Sequence, residues 1–274
     1  MLNERVQRMR NKLWNSRPCI TAERLELETE AYKEFAGDAI PIFRAKVVRY
    51  IMERMTTLIM EDELIVGTAT NKYRGANLHP EFQSSSWYIS DIDDFPVRSK
   101  DPYDISPEDR EKILEILPYW KGKSLEDAIK GTYGKEINEI SKVVKINQKD
   151  HAQGHICPDS ALWLKLGPQG LMEKAKEKLK NCKDEQKEFY ECTILVLEGA
   201  VHFMQRYHDL VEREKIESLK EVGKICMNLS KRPPETFHEA VQSLWFLFVI
   251  LHMESNAFSF KSFNTNGSAS FTNL

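Results

Sequence analysis

The stretch DEQKEFYECTILVLEGAVHFMQRYHDLVEREKIESLKEVGKICMNLS, residues 184–230, decides the fold class. Phe189, Leu197, Val201, Met204, Val211, Leu219, Val222 and Cys226 fall close to one broad face at helical spacing. The spacing predicts one long helix, or two with a break near Gly199 or Gly223. Pro233-Pro234 ends this stretch, and Pro234 suits the start of a last helix, ETFHEAVQSLWFLFVILHM, which is apolar on nearly every side from Leu244 onward. Such a helix must be enclosed by other elements. Working back toward the N-terminus, Pro41 opens a helix with Phe43, Val47, Ile51, Met55 and Leu58 at helical spacing, and Thr21 is placed to cap the helix before it, with Glu23 in the first turn. The chain therefore reads as mainly α.

The composition supports a packed core and removes several partners. With 41% hydrophobic and 30% charged residues over 274 positions, a chain of this size buries about 70–75% of its extended surface. A net charge of -3 supplies no general attraction to nucleic acid or to an anionic membrane. The longest apolar run, Trp245 to Leu251, is far short of the roughly 18 residues that span a bilayer. The N-terminal MLNERVQRMRNKLWNS has no continuous hydrophobic stretch of the kind a secretory signal requires. A cytoplasmic location is expected. The five cysteines, Cys19, Cys157, Cys182, Cys192 and Cys226, are odd in number and contain no C-x-x-C pair, so reduced thiols are expected.

The middle zone, residues 61–167, is punctuated by Pro and Gly and holds short periodic pieces. Ser106 with Pro107 starts one helix, and Ser124 with Asp127 starts another. Within this zone WKGKS resembles the end of a phosphate-binding loop, but Leu117 stands where the first glycine is needed, so the backbone amides cannot fold around a phosphate in the usual way. The acidic runs Glu61-Asp62-Glu63 and Asp91-Ile92-Asp93-Asp94 read as solvated faces, the second lacking the glycine and closing glutamate of a calcium loop.

DHAQGHICPD, residues 150–159, is the densest chemical stretch. His151, His155, Cys157 and Asp159 are all metal-ligating types, while Gly154 and Pro158 argue for an irregular loop. Three readings stand here: a bound metal, a loop whose His and Asp hold a small hydroxylated or cationic substrate and carry protons, or ordinary loop packing. His202 and His208 lie on different faces of the long helix and are not expected to act together.

Several phrases taken together resemble the glycyl radical enzymes related to pyruvate formate-lyase, in their dehydratase and C-N-lyase branch. They are SRPCITAERLELETEAYKE (16–34), PIFRAKVVRYIMERMTTLIMEDELIVGT (41–68), RGANLHPEF (74–82), ILPYWKGKSLEDAI (116–129), GHICPD (154–159) and PPETFHEAVQSLWFLFVILHMESN (233–256). The resemblance implies the N-terminal helical portion of a ten-stranded α/β barrel, with the barrel incomplete within these residues. It implies dehydration of a small hydroxylated substrate such as a diol or hydroxylated amino acid, or cleavage of an amine from an amino alcohol, by thiyl-radical hydrogen abstraction. It also implies an anaerobic enzyme carrying a glycyl radical installed by a radical SAM activating enzyme, with a homodimer expected when complete.

Carried onto this sequence, the resemblance places His155 and Asp159 in a substrate loop and Ser259 on a substrate-facing position; these three are the expected substrate-binding residues. The family's radical cysteine sits in G-C-V-E and its glycine in R-V-x-G-[FYW], and neither motif occurs in these residues. No catalytic residue, metal or bound cofactor is therefore expected in this chain. Glu254-Ser255-Asn256 is kept, but Ala257 stands for a glycine and the following G-R-x-D-Q pattern is absent, so residues 1–256 read as family sequence and 257–274 as an atypical tail from a truncation or frameshift. Against the enzyme-segment reading stand a non-catalytic helical interaction protein using exposed apolar surface and a small metal-binding protein built on His151, His155 and Cys157.

Overall fold

The computed structural model describes residues 3–144 and 157–254. In chain order the elements are α1 (Glu4–Asn15), β1 (Cys19–Thr21), α2 (Glu23–Glu34), α3 (Ile40–Arg54), β2 (Gly75–Asn77), α4 (Ser85–Asp91), β3 (Asp104–Ile105), α5 (Pro107–Ile116), α6 (Leu125–Gly131), α7 (Lys135–Ile140), α8 (Ser160–Leu179), α9 (Asp184–Glu214), α10 (Lys220–Leu229) and α11 (Phe237–Met253). The mainly α expectation holds. A small parallel sheet in the order β2-β1-β3 accompanies the helices, with Ile20 opposite Ala76 on one side and Ile105 on the other. Strands of two or three residues are too short to show alternation in sequence.

Several starts follow their local signals. Ser106 Oγ accepts from Asp109 N at the head of α5, and Ser124 Oγ accepts from Asp127 N at the head of α6. Pro41 stands in the first turn of α3. An unforeseen helix, α1, is capped by Asn3, whose Oδ1 accepts from Val6 N. Two expected caps are displaced. Thr21 belongs to β1, where its hydroxyl meets Asn77 Oδ1 at 3.3 Å, and the amide of Ala22 ahead of α2 donates instead to Asp109 Oδ1 at 3.0 Å. The last helix starts at Phe237 rather than Pro234, because the Thr236 hydroxyl accepts from Glu239 N and sets the first turn there.

α9 runs unbroken through Gly199 for 31 residues, about 46 Å. It ends where Lys215 turns left-handed (φ 51°), and a short 3-10 turn leads into α10. The break therefore falls at Lys215, and the two glycines serve a different purpose. A Cβ on Gly199 would lie 2.6 Å from Met52 Cε and 3.1 Å from Arg49 Cα; one on Gly223 would lie 3.1 Å from Val211 Cβ. Gly199 lets α9 cross α3 closely, and Gly223 lets α10 close on α9.

Polar contacts flank the α3–α9 crossing. Arg49 pairs with Glu198 at 2.6 Å and with Glu53 at 2.7 Å, and His202 Nδ1 meets Glu53 at 3.0 Å. Arg206 donates to the carbonyls of Met52 and Met55, satisfying the orphan acceptors at the end of α3. An exposed mid-helix Gly→Ala change stabilises by about 1 kcal/mol. Here Gly199→Ala is expected to do the opposite and lower stability by about 1–2 kcal/mol, because the Arg49 backbone cannot yield as the Met52 methyl can. Urea denaturation measures the sign; a gain in stability would show that the helices separate freely.

The main core gathers Val47, Ile51, Phe203, Met204, Tyr207, Phe246 and Ile250 from α3, α9 and α11 with Val222 and Cys226 of α10. A second core places Ile20, Leu25, Ile113, Leu117 and Trp120 beneath α2 and α5. Phe189, assigned to the inner face from its spacing, is 67% exposed, since no residue of α9 before Leu197 is buried. α11 is enclosed as its composition demands, and it also clamps an extended segment. His238, Gln242 and Trp245 hydrogen-bond the backbone of Leu64, Val66 and Gly67, and Tyr207 OH accepts from Thr68 N. No helix among the described residues is long and apolar enough to cross a membrane.

Candidate functional site

Of the three expected substrate-binding residues, His155 and Ser259 lie outside the described residues, as does His151. Asp159 is exposed and caps α8, its Oδ1 accepting from Leu162 N at 2.9 Å. The helix it starts is bent at Gly167 (φ 63°) ahead of Pro168. The first piece is fastened to α11 by the Trp163 indole, which donates to Ser243. Cys157 is exposed, and no group of three or more His, Cys, Asp or Glu among the described residues is arranged to hold a metal ion.

The other sequence features resolve into structural roles. Asp62 takes a two-pronged contact from Arg8, Asp91 pairs with Arg98, and Asp93 pairs with Arg110. In WKGKS the serine is a helix cap and the Lys123 ammonium lies 3.3 Å from the centre of the Tyr119 ring, so neither group addresses a phosphate. A cleft of about 510 Å³ between α1 and residues 60–65 is lined by Val6, Met9, Leu13, Leu64 and Tyr73; it contains none of the expected residues.

What sequence reasoning missed is a buried polar cluster at the C-terminal end of α11. Arg24 of α2 is fully buried and spreads its guanidinium over four partners. Its Nε donates to Met253 O at 2.8 Å, its Nη1 to Glu28 Oε2 at 2.5 Å and Leu78 O at 3.2 Å, and its Nη2 to Glu81 Oε1 at 2.7 Å. Arg44 of α3 donates to Tyr32 OH at 2.6 Å, pairs with Glu254, and stands 3.7 Å from Glu28 Oε1. His79 Nδ1 lies 3.5 Å from Glu81 Oε1. The planar fork of arginine suits such multi-acceptor contacts, which an ammonium could not make together.

The electrostatics divide the carboxyls. Burial works against the charge of Arg24, but Glu28 and Glu81 more than reverse it, so the guanidinium is held more firmly protonated than usual. Burial drives Glu28 well above the ordinary carboxylate range despite Arg24 beside it. Burial pushes the same way on Glu81, yet Arg24 and His79 together hold it well below that range. Glu254 is raised by burial against the pull of Arg44, and His79 is lowered by burial and by Arg24. One signal in the sequence pointed here. Arg24 and Glu28, Arg44, His79 and Glu81, and Glu254 come from four separate phrases among those quoted above, and the fold brings them to one place.

Residues 2–265 match the model of the family described as pyruvate formate lyase-like. The chain belongs to the pyruvate formate lyase-like family. Among its relatives are the isethionate sulfite-lyase of Nitratidesulfovibrio vulgaris, 29% identical, matched over 92% of this chain and 34% of its own length. The (2S)-3-sulfopropanediol dehydratase of Klebsiella oxytoca is likewise 29% identical, over 93% of this chain and 33% of its own. Of solved structures, the glycerol-bound B12-independent glycerol dehydratase from Clostridium butyricum superposes with a TM-score of 0.86 at 28% identity, covering 93% of this chain and 34% of that one. A Roseburia inulinivorans protein solved in a study of 1,2-propanediol dehydration gives a TM-score of 0.90 at 26% identity, covering all of this chain and 35% of that one. The pyruvate formate lyase-like chain thus spans about a third of the length of the relatives it matches, and those relatives include dehydratases and lyases.

Proposed function

We propose that these residues supply the N-terminal helical part of a glycyl radical dehydratase or lyase acting on a small hydroxylated substrate. The observation that carries this reading is the continuous match of nearly the whole chain to about one third of several such enzymes. In this reading the barrel, the thiyl-forming cysteine and the radical glycine lie outside these residues, since G-C-V-E and R-V-x-G are absent from them. A radical SAM activating enzyme would install the radical, and a homodimer would form when the enzyme is complete. The chemistry of hydrogen abstraction belongs to those absent groups, and no step of it is routed through the residues present.

Three residues of this chain would face the substrate. The His155 imidazole would hydrogen-bond a substrate hydroxyl and deliver the proton with which it leaves as water. Asp159, already exposed at the head of α8, would accept from a second hydroxyl or pair with an ammonium, and Ser259 would add a further hydrogen bond. Dehydration of a diol or hydroxylated amino acid is favoured over amine cleavage.

The test begins with the DNA downstream of the Asn256 codon, read in all three frames for G-C-V-E followed by R-V-x-G-[FYW]. The reading frame joined through those motifs is then expressed anaerobically with a radical SAM activase. The expected results are a glycyl radical signal in electron paramagnetic resonance and loss of water from a small diol. If no frame encodes the two motifs, the radical-enzyme reading is overturned for this locus.

A further inference from the structure

We propose that the buried cluster at the end of α11 holds one proton at neutral pH, with Glu28 as a neutral carboxylic acid, making the junction of α2 and α3 with α11 a proton-gated latch. The argument is first one of charge. Arg24 and Tyr32 on α2, Arg44 on α3, Glu81 on the segment after β2 and Tyr88 on α4 act on or feel Glu28 directly, and His79, His252 and Glu254 complete the cluster through Glu81, His79 and the two arginines. With both histidines neutral, three carboxyl groups meet two guanidinium groups, and ionisation of all three carboxyls would leave one negative charge unmatched. Arg44 and Glu254 are 26% and 24% exposed and pair with each other, but Arg24 and Glu28 have no exposure and Glu81 is 3% exposed, so water has little access where two carboxyl groups share one guanidinium. An uncompensated charge in such a site is among the costliest features a fold can carry.

Geometry selects which group takes the proton. Glu81 holds Arg24 Nη2 at 2.7 Å with its other oxygen 3.4 Å from Nη1. Glu254 holds Arg44. Glu28 shares Nη1 with Glu81, and its Oε1 has no hydrogen-bond partner among the described residues; Glu254 Oε2 has none there either, but that side chain is 24% exposed where Glu28 is fully enclosed. His79 is a poor alternative, since its Nδ1 stands 3.5 Å from Glu81 Oε1, at the outer limit of a hydrogen bond, and burial and the neighbouring Arg24 oppose a second positive charge. The upward push of burial on Glu28 agrees with this assignment.

The latch follows from what the two guanidiniums also hold. Arg24 Nε is bonded to Met253 O and Arg44 is paired with Glu254, so both fasten the last turn of α11. Ionising Glu28 adds a competitor for both. Because its folded-state pKa is raised, the stability it contributes is complete below the ordinary carboxylate range and is lost as pH climbs from there toward the raised value. Over that window the folding constant falls by about tenfold per pH unit for the one proton involved.

Infrared spectroscopy of the full chain at neutral pH is the first measurement. It should show the carbonyl stretch of a protonated carboxyl group, absent in Glu28→Gln and retained in Glu198→Gln, which removes a carboxylate outside the cluster. Urea denaturation from about pH 5 to pH 9 should show the wild-type midpoint falling while the Glu28→Gln midpoint loses that component of the slope. If Glu28→Gln does not fold, the wild-type band and its change of frequency in Glu28→Asp decide. Absence of a carboxylic band in the wild type overturns the proposal, as does a band that survives Glu28→Gln. Stabilisation by potassium or ammonium at constant ionic strength, without the band, would assign the missing positive charge to a bound cation and overturn it as well.

Discussion

Arg24→Ala is expected to lower the stability of this chain by about 3–5 kcal/mol, a large share of what a domain of ordinary stability possesses. The loss comes from what remains behind. Glu28 and Glu81 have no exposure and 3% exposure as side chains, and without the guanidinium Glu81 loses its main counter-charge and both lose their closest donor, leaving only Arg44 at 3.7 Å from Glu28 and His79 at 3.5 Å from Glu81. The carbonyls of Leu78 and Met253 lose their arginine contacts in the same step. Arg24→Lys should recover little, because a single ammonium cannot reach four acceptors spread around a plane. Arg24→Met combined with Glu28→Leu and Glu81→Gln should recover part of the loss, since the orphaned charges are then gone. Urea midpoints of the three variants provide the comparison, and near-wild-type stability of Arg24→Ala would show that water reaches the cluster.

Trp120→Ala should cost a comparable 3–5 kcal/mol through the second core. Trp120 is fully buried. Its ring lies 4.6 Å from that of Tyr32 and 5.5 Å from that of Tyr119, so removing it opens a void between α2 and the turn that follows α5. Its Nε1 donates to Thr29 Oγ1 at 2.8 Å, while the same hydroxyl donates to Leu25 O. Trp120→Phe keeps most of the ring and forfeits that hydrogen bond, for a smaller loss of about 1–2 kcal/mol. Equal losses in the two variants would show that the hydrogen bond, not the packing, carries the effect.

The candidate site was less legible than the helices. GHICPD drew attention because histidine, cysteine and aspartate cluster there, and the structure shows Asp159 as an exposed cap at the head of α8. ERLELETE, by contrast, reads as an ordinary charged helix, yet it supplies Arg24 and Glu28 to the most deeply buried polar cluster described. Nothing within eight residues distinguishes a solvated arginine from one enclosed by its partners. The contacts that decide it reach 54, 57 and 229 positions along the chain. The recurrence of family phrases from four separate regions was the one available hint, and it became a site only once the fold brought them together.

By itself the sequence determined the helical class, the starts at Pro41, Ser106 and Ser124, and the enclosure of residues 244–251. These follow from capping and periodicity that act within about four residues, so the signal and the structure share the same short range. Tertiary structure alone decided that Gly199 is a crossing rather than a break, that Phe189 faces out, that Thr21 pairs in a strand, and that Arg24 and Glu28 are buried. Each of these depends on what a distant segment brings to the position: a backbone close enough to exclude a Cβ, no partner to cover an aromatic ring, a strand partner for a short run, or a counter-charge that makes burial tolerable.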